Sequence, residues 1–332
     1  MGRLTFRRAR TVTLLVLAFA LVIGTTLTAA RGMVRFAARS EAEPESRPRG
    51  NESQLRGNRP PRQGRGGRAG GRWARGGVET QQIAGLSVAI WRPTVSTSAP
   101  LVVFSHGFRG CNTQSTFLTE ALAAAGYLVV APNHQDAICG GGGFAQAQED
   151  LRNPSAWTEA TYQDRADDIR KLFDALRTDQ KWNTSIDWSR VALAGHSLGG
   201  YTVLGISGAW PSWKLTSPSI KATLALSPYC QPFPVNGHLG VLGIPVMYQG
   251  GTRDLGITPA IKKPRGCFSE TSSPAYFVEF TGAGHFSWSD LRDEQHDLIN
   301  AYALAFLDKH VRGMAQADPS QRRPGVSDVK VK

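Results

Sequence analysis

The sequence predicts an α/β domain built on a mostly parallel central sheet with helices on both faces. The apolar runs are short and continuous, as at 100–105, 127–131 and 222–226, which is typical of strands buried on both faces. Helical patterns separate several of these runs, as in a parallel sheet covered by helices. In addition, a buried-strand pattern at 190–194 passes through one serine directly into a helical pattern.

The pattern of a folded domain begins near Gln82, and its elements can be taken in order. The predicted strands are 86–91, 100–105, 127–131, 190–194, 222–226, 245–248 and 275–280. The predicted helices are 116–125, 164–176 and 290–311. Gly126 ends the first of these helices, because glycine adopts the backbone conformation that follows a helix. Residues 137–158 are expected to form a loop.

The formal charge of +12 on the 332-residue chain comes entirely from its N-terminal part. Residues 1–77 contain 16 Arg, no Lys and 4 Glu, whereas residues 78–332 contain 22 basic and 22 acidic residues. The folded domain is therefore neutral, and a basic groove for nucleic acid loses its main support. No nucleic-acid partner is expected.

Residues 1–30 form an export segment, with several arginines before the uncharged apolar residues 11–30. The length of 11–30 is sufficient to span a bilayer, which favours a signal anchor and membrane attachment. The small residues 28–30 would equally serve as the cleavage site of a signal peptide. Both interpretations stay open, and either one places the protein in the periplasm or outside the cell.

The export segment is followed by residues 31–77, which are rich in Arg, Gly and Pro. They contain too little apolar surface to offset the entropy of ordering, which predicts a disordered tether. Association of its arginines with anionic lipid or wall polymer is favoured over an RNA-binding tail. The catalytic domain is placed at 78–312, and residues 313–332 are expected to be a flexible tail.

Four cysteines lie in the predicted domain, and export makes disulfides possible. Three pairings can be drawn. We expect Cys111 with Cys139 and Cys230 with Cys267, which would link neighbouring loops. None of the cysteines has metal-ligand spacing with a histidine, so no metal site is predicted.

Ser197 lies in Gly195-His-Ser-Leu-Gly199, where a strand ends and a helix begins at once. Such a turn forces the serine into a strained conformation, and glycines flank it because side chains there would collide. The serine hydroxyl is then exposed at a helix N-terminus, where backbone N–H groups favour negative charge. This pattern predicts a nucleophile.

A serine nucleophile needs a base to take its proton and an acceptor to orient that base. Reacting groups collect at the carboxyl ends of parallel strands, so we consider the residues that follow them. Asp254 follows the strand 245–248, and His285 follows the strand 275–280 on a glycine-rich turn. We therefore expect His285 to be the base and Asp254 the acid.

The oxyanion formed on attack needs donors. One backbone N–H is expected from Leu198, directly after the nucleophile, and one from Phe108, in the loop after the strand 100–105. Structural roles under the loops or in a pocket wall are predicted for His106, His134, Asp136 and His196.

The motifs that carry a family resemblance are Ser105-His-Gly-Phe-Arg109, Gly195-His-Ser-Leu-Gly-Gly-Tyr201, Gly250-Gly-Thr-Arg-Asp254 and Gly282-Ala-Gly-His285. Over about residues 80–312 the chain resembles the α/β-hydrolases. It is similar to the branch with dienelactone-hydrolase-like enzymes, platelet-activating-factor acetylhydrolase-like esterases, chlorophyllases and cutinase-like polyester hydrolases. The chain departs from dienelactone hydrolases by its Ser nucleophile. It departs from polyester hydrolases at Ser227-Pro-Tyr-Cys230, where a Trp is expected.

The sequence thus predicts a carboxylic ester hydrolase that works through an acyl-enzyme on Ser197, without a metal or organic cofactor. Tyr229, Phe286 and Trp288 lie in loops and are expected to form an apolar wall of the substrate pocket. Loops rather than a long helical cap favour a small-molecule or lipid-like ester with a short or medium acyl chain. Two alternatives stay open: a peptidase or amidase with the same triad, and a non-catalytic surface protein.

Overall fold

The described part of the protein is its folded domain. The computed structural model describes residues 77–94, 98–139, 146–215, 217 and 219–332. The predicted export segment and nearly all of the predicted tether lie outside the described residues. Among the helices in these ranges, none is long and apolar enough to cross a membrane.

A single sheet forms the centre of the described domain. Its strands are β1 (Glu79–Ile83), β2 (Leu86–Trp91), β3 (Ala99–Ser105), β4 (Leu128–Pro132), β5 (Ile186–His196), β6 (Ile220–Leu226), β7 (Val246–Gly251), β8 (Ala275–Phe280) and β9 (Val326–Val331). Their spatial order is β1-β2-β4-β3-β5-β6-β7-β8-β9. The neighbours from β4 to β8 pair in parallel, whereas β1, β2 and β9 pair antiparallel toward the two edges.

Helices cover both faces of this sheet. They are α1 (Thr116–Ala124), α2 (Gln163–Thr178), α3 (Gln180–Ser185), α4 (Leu198–Leu204), α5 (Phe233–Asn236), α6 (Thr258–Lys262), α7 (Cys267–Glu270) and α8 (His296–His310). The helices α2, α3 and α4 contribute to the apolar core on one face, and α1 and α8 contribute to the core on the other. Successive strand residues alternate between these cores, as the pleat requires. The predicted α/β-hydrolase fold is confirmed.

Every predicted strand is present, and the main difference among the helices is at α8. This helix begins at His296 rather than at Asp290. The Asp290 carboxylate instead accepts hydrogen bonds from the N–H groups of Thr116 and Phe117, at 3.0 and 3.2 Å. These N–H groups belong to the first turn of α1 and have no partner within that helix. Asp290 therefore stabilises the start of one helix instead of beginning another.

The C-terminal residues 313–332 are not a flexible tail, and that prediction is wrong. Strand β9 pairs antiparallel with β8 from Phe280↔Val326 to Tyr276↔Val331. The Val326 side chain is buried in the core on the side of α8. An edge strand pairs on one side only, so its alternating polar residues face water and its composition resembles that of a tail.

Two disulfides join loops that follow the strands. Cys111 is bonded to Cys139 and Cys230 to Cys267, so the expected pairing is confirmed. The first bond links the loops after β3 and β4, and the second links the loop after β6 to α7. Both bonds constrain segments at the carboxyl end of the sheet, where the predicted site residues lie.

Candidate active site

Ser197 occupies a strained turn between β5 and α4. Its φ is +56°, in the left-handed region that residues with a side chain rarely adopt. A Cβ on Gly195 would lie 2.3 Å from the Gly199 carbonyl oxygen, and one on Gly199 would lie 1.9 Å from the Ser105 carbonyl oxygen. Only glycine fits at these two positions, because backbone atoms occupy the space of a side chain.

The structure brings the three predicted triad residues together. His285 Nε2 lies 2.9 Å from Ser197 Oγ, and His285 Nδ1 lies 3.4 Å from Asp254 Oδ1. Asp254 follows β7 and His285 follows β8, so neighbouring parallel strands deliver the two side chains to the same edge of the sheet.

A fourth side chain, Ser227 at the end of β6, lies between the acid and the base. Its hydroxyl donates to Asp254 Oδ2 at 2.6 Å and lies 2.8 Å from His285 Nδ1. Thr258 also donates to Asp254 Oδ2, at 3.0 Å. The prediction of site residues missed Ser227, although it follows a strand end like the residues that were chosen.

The Asp254 carboxyl is almost fully buried and has several hydrogen-bond donors. Burial raises its pKa. The opposing effects are larger: the pKa is lowered by the hydrogen bond and charge of His285 and by the hydroxyls of Ser227 and Thr258. The net result is a pKa below the ordinary value for an aspartate. Asp254 is therefore an ionised acceptor at neutral pH.

The loop after β3 lies directly against the serine. A Cβ on Gly107 would be 3.3 Å from Ser197 Cβ, so Phe108, the next residue, is adjacent to the turn. The predicted donors are the N–H groups of Phe108 and Leu198. Across the described ranges neither group donates to a protein acceptor, so both are open to a ligand oxygen.

A chain of hydrogen bonds through Gln114 and His196 frames the site. The Gly107 N–H donates to Gln114 Oε1 at 2.9 Å, and Gln114 Nε2 donates to His196 Nδ1 at 2.6 Å. His196 Nε2 in turn donates to the His285 carbonyl at 2.9 Å. Burial and the neighbouring His285 lower the pKa of His196 to about 3, so the ring stays neutral and can both accept and donate. His196 therefore connects the loop after β3, through Gln114, to the backbone of His285.

A buried arginine lies beneath the loop after β3. Arg165 Nε and Nη2 each donate to the Asp136 carboxylate at 2.9 Å, and its Nη1 donates to the His106 carbonyl at 2.8 Å. Asp136 also accepts from the backbone N–H of Arg109, at 2.9 Å. The pair thus holds the loop on both sides of the Phe108 N–H.

His134 forms a second serine–histidine–aspartate arrangement that is closed to solvent. Its Nε2 lies 2.9 Å from Ser105 Oγ and its Nδ1 lies 3.0 Å from Asp168 Oδ2. Burial lowers the pKa of His134 well below its usual value and raises that of Asp168 to about 6. The contact is therefore a hydrogen bond rather than an ion pair. All three side chains are buried, which fits the predicted structural role of His134.

Two of the predicted pocket residues lie near the site. Phe286 is 55% exposed and lines an open cleft of about 410 Å³ together with His285. Tyr229 is mostly buried, with its ring 4.7 Å from that of Trp157, and its N–H donates to the Ser197 carbonyl at 2.9 Å. Tyr229 therefore contacts the backbone of the serine turn, and most of its ring belongs to the core.

Trp288 does not line the cleft, and its prediction as a pocket residue is wrong. Its side chain is fully buried, Nε1 donates to Gln249 Oε1 at 2.9 Å, and its ring lies 6.1 Å from that of Phe280. The indole is large and needs one hydrogen-bond acceptor, and the core supplies both the space and the acceptor. Within the described residues, no three His, Cys, Asp or Glu side chains are arranged to hold a metal ion.

Comparison with known proteins agrees with this geometry. Residues 75–229 match the family model of the chlorophyllases, a stretch that includes Ser197 and ends before Asp254 and His285. The chain is therefore similar to the chlorophyllase family over a little less than half of its length, and its described domain has the α/β-hydrolase fold.

Curated relatives of this α/β-hydrolase are distant in sequence. It is 23% identical over 224 residues to Cutinase 2 of Thermobifida cellulosilytica, which is 67% of this chain and 72% of the relative. It is also 23% identical over 224 residues to cutinase cut1 of Thermobifida fusca, covering 67% of this chain and 59% of that protein. To platelet-activating factor acetylhydrolase of Gallus gallus it is 22% identical over 272 residues, 64% of this chain and 62% of the relative. The resemblance drawn from the motifs is confirmed.

Proposed function

We propose that the protein hydrolyses carboxylic esters with short to medium acyl chains through an acyl-enzyme on Ser197. The reaction class is carboxylic ester hydrolysis, in line with the cutinases and the chlorophyllase family to which the chain is similar. The observation that carries the proposal is the 2.9 Å contact between His285 Nε2 and Ser197 Oγ at a strained strand–helix turn. A hydroxyl within hydrogen-bond reach of an oriented imidazole is an activated nucleophile.

In the first half of the reaction, Ser197 Oγ attacks the ester carbonyl carbon while its proton passes to His285 Nε2. The new C–O bond gives a tetrahedral oxyanion, and Asp254 stabilises the imidazolium that forms. The N–H groups of Phe108 and Leu198 donate to the oxyanion. Collapse breaks the bond to the leaving oxygen, which takes the proton from Nε2 and departs as an alcohol.

In the second half, a water molecule replaces the alcohol. His285 takes one of its protons as the water oxygen attacks the acyl carbon on Ser197. The second tetrahedral oxyanion collapses, the bond to Oγ breaks, and Nε2 returns its proton to that oxygen. The products are a carboxylic acid and the free serine, so the cycle consumes one water for each ester.

The segment between β6 and β7 bears on the size of the acyl group. Between β6 and β7 the only α-helix in the described chain is the four-residue α5, too short to form a cap. The exposed Phe286 lines an open cleft together with His285, but Ser197 is not among the residues that line this cleft. The proposed acyl size therefore rests on the short α5, because a long acyl chain needs an enclosed tunnel that a small-molecule or lipid-like ester does not.

Two other functions are compatible with parts of this site. A peptidase or amidase would use the same three side chains, since the triad cleaves amides as well. A non-catalytic surface protein would use only the fold, but it has no need for an acid and a base aligned behind an exposed serine. Neither alternative is favoured by a specific contact in the structure.

The site of action is proposed to be outside the cytoplasm. The two disulfides fit an exported protein, because thiols in the cytosol are kept reduced. Residues 11–30 would either direct secretion and be removed or attach the protein to a membrane. No organic cofactor and no metal are required by the steps above.

The test is hydrolysis of p-nitrophenyl acetate, butyrate, octanoate and palmitate by the wild type and by Ser197→Ala. The variant should lose at least about 10³-fold in kcat/KM and its labelling by a fluorophosphonate probe, with an unchanged melting temperature. Ser155→Ala, which changes an exposed serine whose hydroxyl donates to Asn153 rather than to a triad residue, is the matched control and should keep full activity. Full activity of Ser197→Ala would refute the proposal. A preference for the palmitate ester would refute the proposed preference for short to medium acyl chains.

A further inference from the structure

The hydroxyl of Ser227 provides the shorter path between the base and the acid. The direct separation of His285 Nδ1 and Asp254 Oδ1 is 3.4 Å, longer than an ordinary N–H···O hydrogen bond. Through Ser227 Oγ the two steps are 2.8 and 2.6 Å, both within hydrogen-bond range. The strongest connection between base and acid therefore runs through the serine.

The chemistry of the three groups fixes the direction of these hydrogen bonds. An ionised carboxylate can only accept, so the single hydroxyl proton of Ser227 points to Asp254. The hydroxyl oxygen then offers a lone pair to His285 Nδ1, which must carry the ring proton in order to donate. This leaves Nε2 unprotonated, as it must be to take the proton of Ser197.

The backbone holds Ser227 in place at some cost. Its side chain is fully buried and its φ is +41°, an unusual value for a residue with a side chain. Its N–H donates to the Gln249 carbonyl at 2.8 Å, which ties it to the end of β7. Strained backbone persists only where the surroundings determine it, and it concentrates at functional sites.

We infer that Ser227 is a positioning residue that relays the hydrogen bond from His285 to Asp254 and selects the tautomer of the base. The inference rests on the proposed function, in which His285 is the base. When the imidazolium forms, its Nδ1–H donates more strongly to Ser227, whose hydroxyl is already polarised by the carboxylate. Loss of the hydroxyl should therefore destabilise the imidazolium relative to the neutral ring.

The test uses the variants Ser227→Ala and Ser227→Gly. Both remove the hydroxyl, and glycine adopts φ of +41° freely, so an effect shared by both cannot come from backbone strain. We expect kcat/KM for p-nitrophenyl butyrate to fall about tenfold and the acidic limb of its pH profile to move down by about one pKa unit. Thr258→Val is the comparison, since it removes a donor to Asp254 that does not touch His285, and the limb should move less.

The other titratable groups that face His285 are unchanged in these variants. They are the Asp254 carboxylate, the neutral His196 ring at 4.9 Å, and Arg253, Arg292 and Glu294 along the cleft. The inference would be overturned if the variants had a lower melting temperature and a lower rate but an unchanged acidic limb in the pH profile. That outcome would leave Ser227 with a structural role only. An upward shift would also overturn it, by showing that Asp254 closes directly on His285. NMR titration of the His285 ring in a Ser197→Ala background reads the same shift without turnover, so it separates failure of this inference from failure of the proposed function.

Discussion

The buried pair of Arg165 and Asp136 offers a quantitative test of how the oxyanion loop is held. Arg165→Met removes a fully buried guanidinium and leaves the Asp136 carboxylate without its two 2.9 Å hydrogen bonds. Breaking a buried pair on one side costs about 3–5 kcal/mol of unfolding free energy. At roughly 2–4 °C per kcal/mol for a domain of this size, the melting temperature should fall by roughly 6–20 °C.

The pH dependence of this loss follows from the Asp136 carboxyl. Burial raises its pKa, but Arg165 and the other donors lower it below its ordinary value. In the wild type the carboxylate stabilises the fold above its unfolded pKa, and this contribution is lost as the pH falls through the folded pKa. Without Arg165 burial prevails, the folded pKa lies above the unfolded one, and the penalty grows as the pH rises. The difference in melting temperature between the wild type and Arg165→Met should be largest at neutral pH and should shrink toward about pH 4.

Thermal unfolding of Arg165→Met at both pH values gives the measurement, with Arg165→Met/Asp136→Asn as the matched control. The double variant buries no charge and keeps an acceptor for the Arg109 N–H, so it should recover much of the lost stability. Ester hydrolysis should remain reduced in both variants, because the His106 carbonyl has lost its donor and the Phe108 N–H is less well placed. An unchanged melting temperature in the single variant, or no recovery in the double variant, would refute this account.

Two further predictions concern the frame of the site. Gln114→Leu keeps the side-chain volume but removes the hydrogen bond to His196. We expect kcat/KM for p-nitrophenyl butyrate to fall about tenfold and the melting temperature to fall by less than in Arg165→Met. An unchanged rate would contradict this prediction. Cys230→Ser/Cys267→Ser opens a loop with a sequence separation of 37 residues, for which chain entropy predicts a loss of about 4 kcal/mol. Urea denaturation measures this loss, and an unchanged midpoint and slope would rule it out.

The sequence predicted the central strands and the order of the site residues for the same physical reason. A strand covered on both faces must be apolar throughout, so β3, β4 and β6 are visible as continuous runs. The chain turns polar where each strand leaves the core, which made Asp254 and His285 identifiable. The structure then places His285 beside Ser197 and Asp254 beside His285.

The edges of the sheet and the supports of the site could not be predicted in the same way. The edge strands β1 and β9 are buried on few positions, so their polar residues resemble those of loops and tails. Trp288 lies in a loop near the predicted site, as a pocket residue would, but its ring is buried in the core. The role of Ser227 depends on two distances below 3 Å, and no pattern of residue types encodes such distances.

The side chains that hold the triad and its loops in place all come from elements outside the motifs. Gln114 reaches the serine turn from the segment before α1, Arg165 reaches the loop after β3 from α2, and Ser227 reaches the acid and base from the end of β6. A triad member held by its own strand alone would keep rotational freedom, since a loop at a strand end fixes the backbone more than the side chain. Hydrogen bonds from separate elements remove that freedom in different directions. Substitutions at these three positions should therefore slow the reaction although none of the three side chains contacts the ester. The effects of Gln114 and Arg165 substitutions should combine non-additively, because both side chains hold the backbone of the loop after β3.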